Sequence, residues 1–228
     1  MLRDRAEAAT RARAREGPRV GSHRYGLVLV FALAIVVFSL VAPDGTGARV
    51  VQLVASGSAL ALGVVTSDAP RGTRRALTYA LGLVVLSGAF ADVVLSPGPA
   101  AIFAVTALLC AATIAVIAGG LFRLIVGKGV VVQAVLGALA VYLLIGLVFA
   151  FLIGTLATGA HGDYFAQGTD GTQSTRTYFS FTVLTTTGFG DYTAAMRPGR
   201  LLAVLEALLG QLYLVTVIAL LVGNLRRR

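Results

Sequence analysis

Apolar residues in this chain come in long blocks separated by short polar connections. Six runs stand out, approximately Tyr25–Ala42, Val50–Thr66, Ala76–Leu95, Ala100–Gly120, Val130–Leu156 and Leu201–Val222. A helix rising 1.5 Å per residue crosses the hydrocarbon core in about 20 residues, close to the length of each run. Transmembrane strands would instead alternate in character over about 10 residues, and these blocks do not. The pattern predicts an all-α integral membrane fold with six transmembrane helices. The second run is interrupted by Gln52, Ser56 and Ser58 and is the least apolar of the six. Its small residues (Ala55, Ser56, Gly57, Ser58, Ala59, Ala61, Gly63) suit close helix approach.

Composition agrees with the pattern. Of the 228 residues, 57% are hydrophobic and 13% charged, and the mean hydropathy is +0.86. A soluble domain carries about a quarter charged residues, so a water-soluble enzyme is disfavoured. The net charge of +9 would suggest nucleic acid in a soluble protein. Here the basic residues gather in alternate connections, and no nucleic-acid partner is expected. With both termini cytoplasmic, 15 of the 19 Lys and Arg residues lie inside, leaving Arg49, Arg176, Arg197 and Arg200 outside. That is the positive-inside asymmetry of a plasma-membrane protein with six spans.

Three regions are expected: a cytoplasmic basic segment 1–24, a peripheral four-helix bundle 25–128, and a module 129–228. The basic lead is long and the first apolar run has about 18 residues, so a retained first span is expected rather than a cleaved secretory signal. The lone Cys110 excludes a disulfide framework and a multi-cysteine metal site, and is expected to be a small buried residue. His161 and Asp163 fall in an outer loop, where simple solvation is the expected role. No paired acid and base, nucleophile or metal constellation appears, so no enzyme, small-molecule substrate or organic cofactor is expected. Membrane lipids are the expected surroundings.

Between the fifth and sixth runs the sequence changes character, from Ser174 to Asp191. Ser174 can cap a short helix with an apolar surface of Tyr178, Phe179, Phe181, Val183 and Leu184. Twelve residues make about 18 Å of helix, too short to cross, so the segment should dip into the membrane and return. Gly188 and Gly190 then allow backbone conformations that other residues resist. Irregular backbone at membrane depth is tolerated where protein buries it or where it lines a watery path.

The hexamer Thr186-Thr187-Gly188-Phe189-Gly190-Asp191, with its threonine-rich lead-in and flanking spans, resembles the selectivity filter of potassium channels, whose family form is Thr-Val-Gly-Tyr-Gly, commonly followed by Asp. The likeness covers roughly residues 130–224. It implies a re-entrant pore helix and filter loop between helices 5 and 6, in a six-span channel of the prokaryotic type. The carbonyls of Thr186, Thr187, Gly188 and Phe189 and the Thr186 hydroxyl would be the K⁺ ligands, with Gly190 completing the filter and Thr185 and Asp191 as support and outer mouth. One chain supplies one filter strand and a ring needs four, so the resemblance implies a homotetramer holding K⁺ ions in the filter. Thr187 stands where the family usually has Val or Ile, and Phe189 where Tyr is commoner. A weakly selective Na⁺/K⁺ channel on the same scaffold is therefore the nearest alternative, and a non-conducting structural membrane protein the third.

Pro198 suits the first turn of the sixth helix. Aligned on the family's inner helix, Gly210 falls at a hinge position, with close packing an equal reading. Gln211, Leu214 and Ile218 share a face that would look into the cavity. Glu206 is an intramembrane acid, by default a functional residue, expected to bond a threonine such as Thr182 or Thr185 unless it reaches solvent. Asp92 is read as interfacial. The fourth run carries no Arg or Lys, so no voltage sensor is expected. The short Leu121–Gly129 link places each bundle against its own pore module.

Overall fold

A computed structural model describes residues 25–67, 82, 98–128, 132–159 and 162–225. Through them run helices α1 (Tyr25–Val41), α2 (Thr46–Thr66), α3 (Pro99–Lys128), α4 (Val132–Gly159), α5 (Gln173–Leu184) and α6 (Arg197–Leu225). The basic segment 1–24, the expected third span apart from Gly82, Asp92, His161 and Arg226 to Arg228 lie outside the described residues. By length and composition α2, α3, α4 and α6 can each cross a membrane, and α1 is a shorter apolar helix. This is a helical, multi-pass membrane protein.

The peripheral helices pack around α4. Helix α3 lies along both α4 and α2, and α1 lies against α4 and α2. Tyr25, Val28, Ala32 and Ile35 of α1 meet Ala107, Cys110 and Ile117 of α3 and Ala140, Leu144, Leu147 and Phe151 of α4 in one core. Without a hydrophobic drive inside lipid, such contacts depend on close fit. The small residues of α2 supply it: Ser56 and Ala59 are buried, and the Cys110 thiol donates to the Ser56 hydroxyl at 3.6 Å.

Two boundaries differ from the sequence pattern. Gly119-Gly120 reads as the end of a span, yet α3 continues to Lys128, so the expected Leu121–Gly129 link is largely helix. A Cβ on Gly120 would collide with the Tyr25 hydroxyl and crowd Ser67. The missing side chain thus makes room for α1, and buried Leu121 and Leu124 beyond it repay the helix-breaking tendency of glycine. Helix α2 begins at Thr46, four residues early, and so contains Arg49, whose Nη2 donates to Thr46 Oγ1 at 3.0 Å.

Short α5 is wedged between α4 and α6 and also touches α1. The loop between α4 and α5 folds over it: Tyr164 and Phe165 are buried and meet Phe179 edge-on. The Ala166 amide donates to Thr193 O and the Ala195 amide to Tyr164 O, at 2.8 and 2.9 Å. Asp163 on this loop is exposed.

Two residues one turn apart on each of three helices make the central joint. They are Tyr142 and Gly146 on α4, Ser180 and Leu184 on α5, and Glu206 and Gly210 on α6. The Tyr142 hydroxyl donates to Leu184 O at 3.4 Å, and Ser180 Oγ touches both Gly146 O and Glu206. A Cβ on Gly210 would collide with the Leu184 carbonyl oxygen, and one on Gly146 would meet the Phe181 ring at 2.7 Å. Of the two readings open for Gly210, close packing is the one this geometry displays.

Because a backbone oxygen yields less readily than a ring, Gly210→Ala is expected to destabilise more than Gly146→Ala. Overpacking costs about 1–3 kcal/mol, and thermal unfolding of the detergent-solubilised protein measures it. Equal stability of Gly210→Ala and the native protein would refute the contact.

Candidate functional site

The site is built on α5, and the helix is fixed first at its N-terminus. Gly171 turns the chain with φ +65°, and Thr172 then caps α5 by accepting from the Thr175 amide at 3.1 Å. The expected cap, Ser174, instead donates to Leu40 O at 2.8 Å. Either residue type can cap; the glycine turn decides which one does. A second orphan amide, that of Gln173, donates at 2.9 Å to Oδ1 of Asp44, in the turn between α1 and α2. A carboxylate at a helix N-terminus is doubly favourable, as acceptor and as charge against the dipole. The peripheral helices therefore grip the α5 of their own chain.

Arg176 strengthens that grip. It is buried, donates from Nε to Asp170 O at 3.0 Å, and lays its guanidinium 5.3 Å from the centre of the Phe103 ring on α3. Burial lowers its proton affinity, and Asp44 and Asp170 oppose that shift.

At the other end, α5 stops in a specific way. The Thr187 amide donates to Thr182 O at 2.9 Å and the Thr186 amide to Val183 O at 2.8 Å. This pair of bonds is the Schellman ending, which places one residue in the left-handed region, usually glycine. Here that residue is Thr186, at φ +55°. Among the described residues it is the one non-glycine with positive φ, and a side chain there costs about 1–2 kcal/mol.

The sign of φ then alternates, positive at Thr186, at Gly188 (+52°) and at Gly190 (+81°). Such alternation turns successive peptide planes to the same side. The amides of Thr186, Thr187 and Gly188 all point back into α5, the last donating to Thr182 O at 3.1 Å. Residues 185–191 are all exposed. The result is an exposed strand whose first three amides are used internally, while its carbonyl oxygens from Thr186 on accept no hydrogen bond among the described residues.

Side chains hold this strand. The Thr185 and Thr187 hydroxyls are 2.9 Å apart, and the Thr186 hydroxyl donates to Thr185 O at 2.7 Å. From α6, Gln211 Nε2 donates to Thr186 Oγ1 at 2.8 Å. At the strand's far end Phe189 stacks on Tyr178 of α5, centroids 6.2 Å apart and planes within 4°. The Tyr178 hydroxyl is in electrostatic contact with the Asp191 carboxylate. Tyr178 escapes sequence reasoning because an aromatic on a short apolar helix looks like ordinary packing.

The remaining expected residues divide. Glu206 faces α5 but its partner is Ser180, not Thr182 or Thr185. Those threonines return their hydroxyls to their own helix, Thr182 to Phe179 O and Thr185 to Phe181 O, and Glu206 has no solvent exposure. Leu214 is half-buried on α6, and the side chain of Ile218 lies outside the described residues.

Gly188→Ala is expected to lower stability by about 1–2 kcal/mol, since it forces a Cβ into the left-handed region. Thr186→Gly removes a side chain already held there and is expected to leave stability no lower than about 0.5 kcal/mol below the native value. Thermal unfolding of the two variants side by side tests this. Equal losses would contradict the backbone reading.

No curated protein and no solved structure matches this chain. Over residues 137–227, which hold most of α4, the capped helix, the exposed strand and all of α6, the sequence matches the family model of an ion channel, and passive ion conduction is the activity that match supports.

Proposed function

We propose that this chain is one subunit of a homotetrameric, K⁺-selective channel, with Thr186, Thr187, Gly188, Phe189 and Gly190 as its selectivity filter. The observation that carries the reading is the alternating φ at 186, 188 and 190, with the amides withdrawn into α5. K⁺ leaves water only when other oxygens replace its hydration shell. Four such strands around one axis offer stacked rings of carbonyl oxygens, with the Thr186 hydroxyls at the inner end. The C-terminal dipole of α5 adds negative potential along the ion's path. Asp191 lies at the outer mouth, where it attracts cations.

Helix α6 supports assembly. Only 11% of its most apolar window is buried within one subunit, against 56% for α4, and Leu201, Val204, Leu205, Leu208, Leu209 and Leu212 are exposed. In the tetramer neighbouring copies and the water-filled cavity share that surface, with Gln211 on the cavity side. The module 129–228 is then the pore, dipping at α5 and returning through the filter. The bundle 25–128 is its support in the plasma membrane, with both termini cytoplasmic. Conduction is passive and not voltage-gated. Moving charge through the field yields about 2.3 kcal/mol per charge per 100 mV, and the only charges on α3 are Arg123 and Lys128, near its end.

Purified protein in liposomes is expected to carry K⁺ flux with a reversal potential that follows the K⁺ gradient, and Gly188→Ala is expected to abolish it. A reversal near zero in opposed K⁺ and Na⁺ gradients would replace this reading with a weakly selective channel. Absence of flux in both proteins would leave the pore module a structural element.

A further inference from the structure

Glu206 is held by a serine that has one proton to give. The carboxyl is 0% exposed, in the first half of an apolar helix. Its Oε1 lies 2.5 Å from Ser180 Oγ on α5. The same Oγ lies 2.7 Å from the carbonyl oxygen of Gly146 on α4. Both are hydrogen-bond distances for oxygen pairs.

Proton counting decides between the two forms of the acid. A carbonyl oxygen only accepts, and a serine hydroxyl donates once and accepts through its lone pairs. With Glu206 ionised, its oxygens would also only accept, and one of the two short contacts would contain no proton. Two bonds through one hydroxyl require a second proton, and the carboxyl is the only one of the three groups that can carry it. Donation therefore runs from Glu206 to Ser180 and from Ser180 to Gly146 O.

Two further observations agree. Oε2 is buried and, among the described residues, has no hydrogen-bond partner; on a neutral acid it is an unpaired carbonyl oxygen, on an ionised one an unpaired charge in a dry interior. Among the described residues no cation faces the group. Tyr142 from α4 and Tyr164 from the α4–α5 loop are the titratable groups in electrostatic contact with it. On α5, Arg176 is turned to Asp170 and Phe103, and Tyr178 to Phe189 and Asp191. On α6 itself, Arg200 donates to Ala194 O and Tyr213 to Ala138 O.

We infer that Glu206 is a positioning residue that works as a neutral carboxylic acid: its proton clasps α6 to α5 and, through Ser180, to α4, and alkaline loss of that proton opens the clasp and stops conduction. The clasp sits one turn from the end of the helix that carries the filter strand. Ionisation leaves Ser180 a single proton for two acceptors and a charge between three helices, so α6 withdraws or water enters. The conduction half of this inference rests on the channel reading; the protonation half does not.

Infrared spectroscopy of the reconstituted full chain separates the two halves. At neutral pH the wild type is expected to show a protonated-carboxyl C=O stretch that Glu206→Gln lacks. In Ser180→Ala that band moves to higher wavenumber, as its acceptor is lost. As the pH is raised into the alkaline range the band should fade and K⁺ flux fall in step, by about tenfold. Glu206→Gln donates an amide hydrogen to Ser180 without a titrating proton, and should hold flux within about twofold of the neutral wild type throughout. An identical carboxyl region in wild type and Glu206→Gln at neutral pH would overturn the inference, as would an alkaline loss of flux as large in the variant. Absence of wild-type flux at every pH would remove the channel reading, while the infrared comparison still decides the state of Glu206.

Discussion

The fit of α5 between α4 and α6 is the constraint on which this molecule depends. Three pairs of residues, each one helical turn apart, meet at one place: Tyr142 with Gly146, Ser180 with Leu184, Glu206 with Gly210. Two members are glycines because the contact is backbone to backbone or backbone to ring. Two are hydroxyls and one is an acid, and they supply the directional bonds of the joint, Tyr142 to Leu184 O and Ser180 to Gly146 O. Apolar packing alone would leave α5 free to slide along its neighbours, whereas directional bonds from both sides fix its register.

A short helix held only at one end would still pivot. The opposite end of α5 is fixed by different means, through Asp44 on the Gln173 amide, Leu40 O on the Ser174 hydroxyl, and Arg176 against Phe103. These contacts come from the α1–α2 turn, α1 and α3, so the peripheral helices act on the same element as α4 and α6. Placement of the exposed strand follows, because it begins as the Schellman ending of that doubly held helix. Strain at Thr186 is sustained because the helix end, Gln211 and the Thr185 carbonyl all specify its position.

Much of this was legible in the sequence, for identifiable reasons. Long apolar blocks announce helices by length alone, and Gly188 and Gly190 announce positive φ because few other residues adopt it. Thr186 carries no such sign, and its left-handed backbone emerges only from the two amide bonds that close the helix. Gly120 was misleading, since local propensity is weak against the close approach of Tyr25. The partners of Glu206 and Gln173 lie 26 and 129 residues away. No periodicity encodes such pairings, and serine and threonine on one short helix are interchangeable until packing selects one.

That selection explains why Ser180 and not Thr182 meets the acid. Thr182 has already committed its carbonyl to the amides of Thr187 and Gly188 and its hydroxyl to Phe179 O, so both of its polar groups serve the helix ending. Ser180 lies half a turn back, where its hydroxyl meets the Gly146 carbonyl oxygen at 2.7 Å. An acid reaching α5 at that level finds a hydroxyl whose own proton is spoken for and whose lone pair is open. The joint thus asks Glu206 for a donor, and only the uncharged carboxyl is one. Helix packing and protonation state are here a single question: the spacing that lets three helices touch is also what keeps a proton in the membrane.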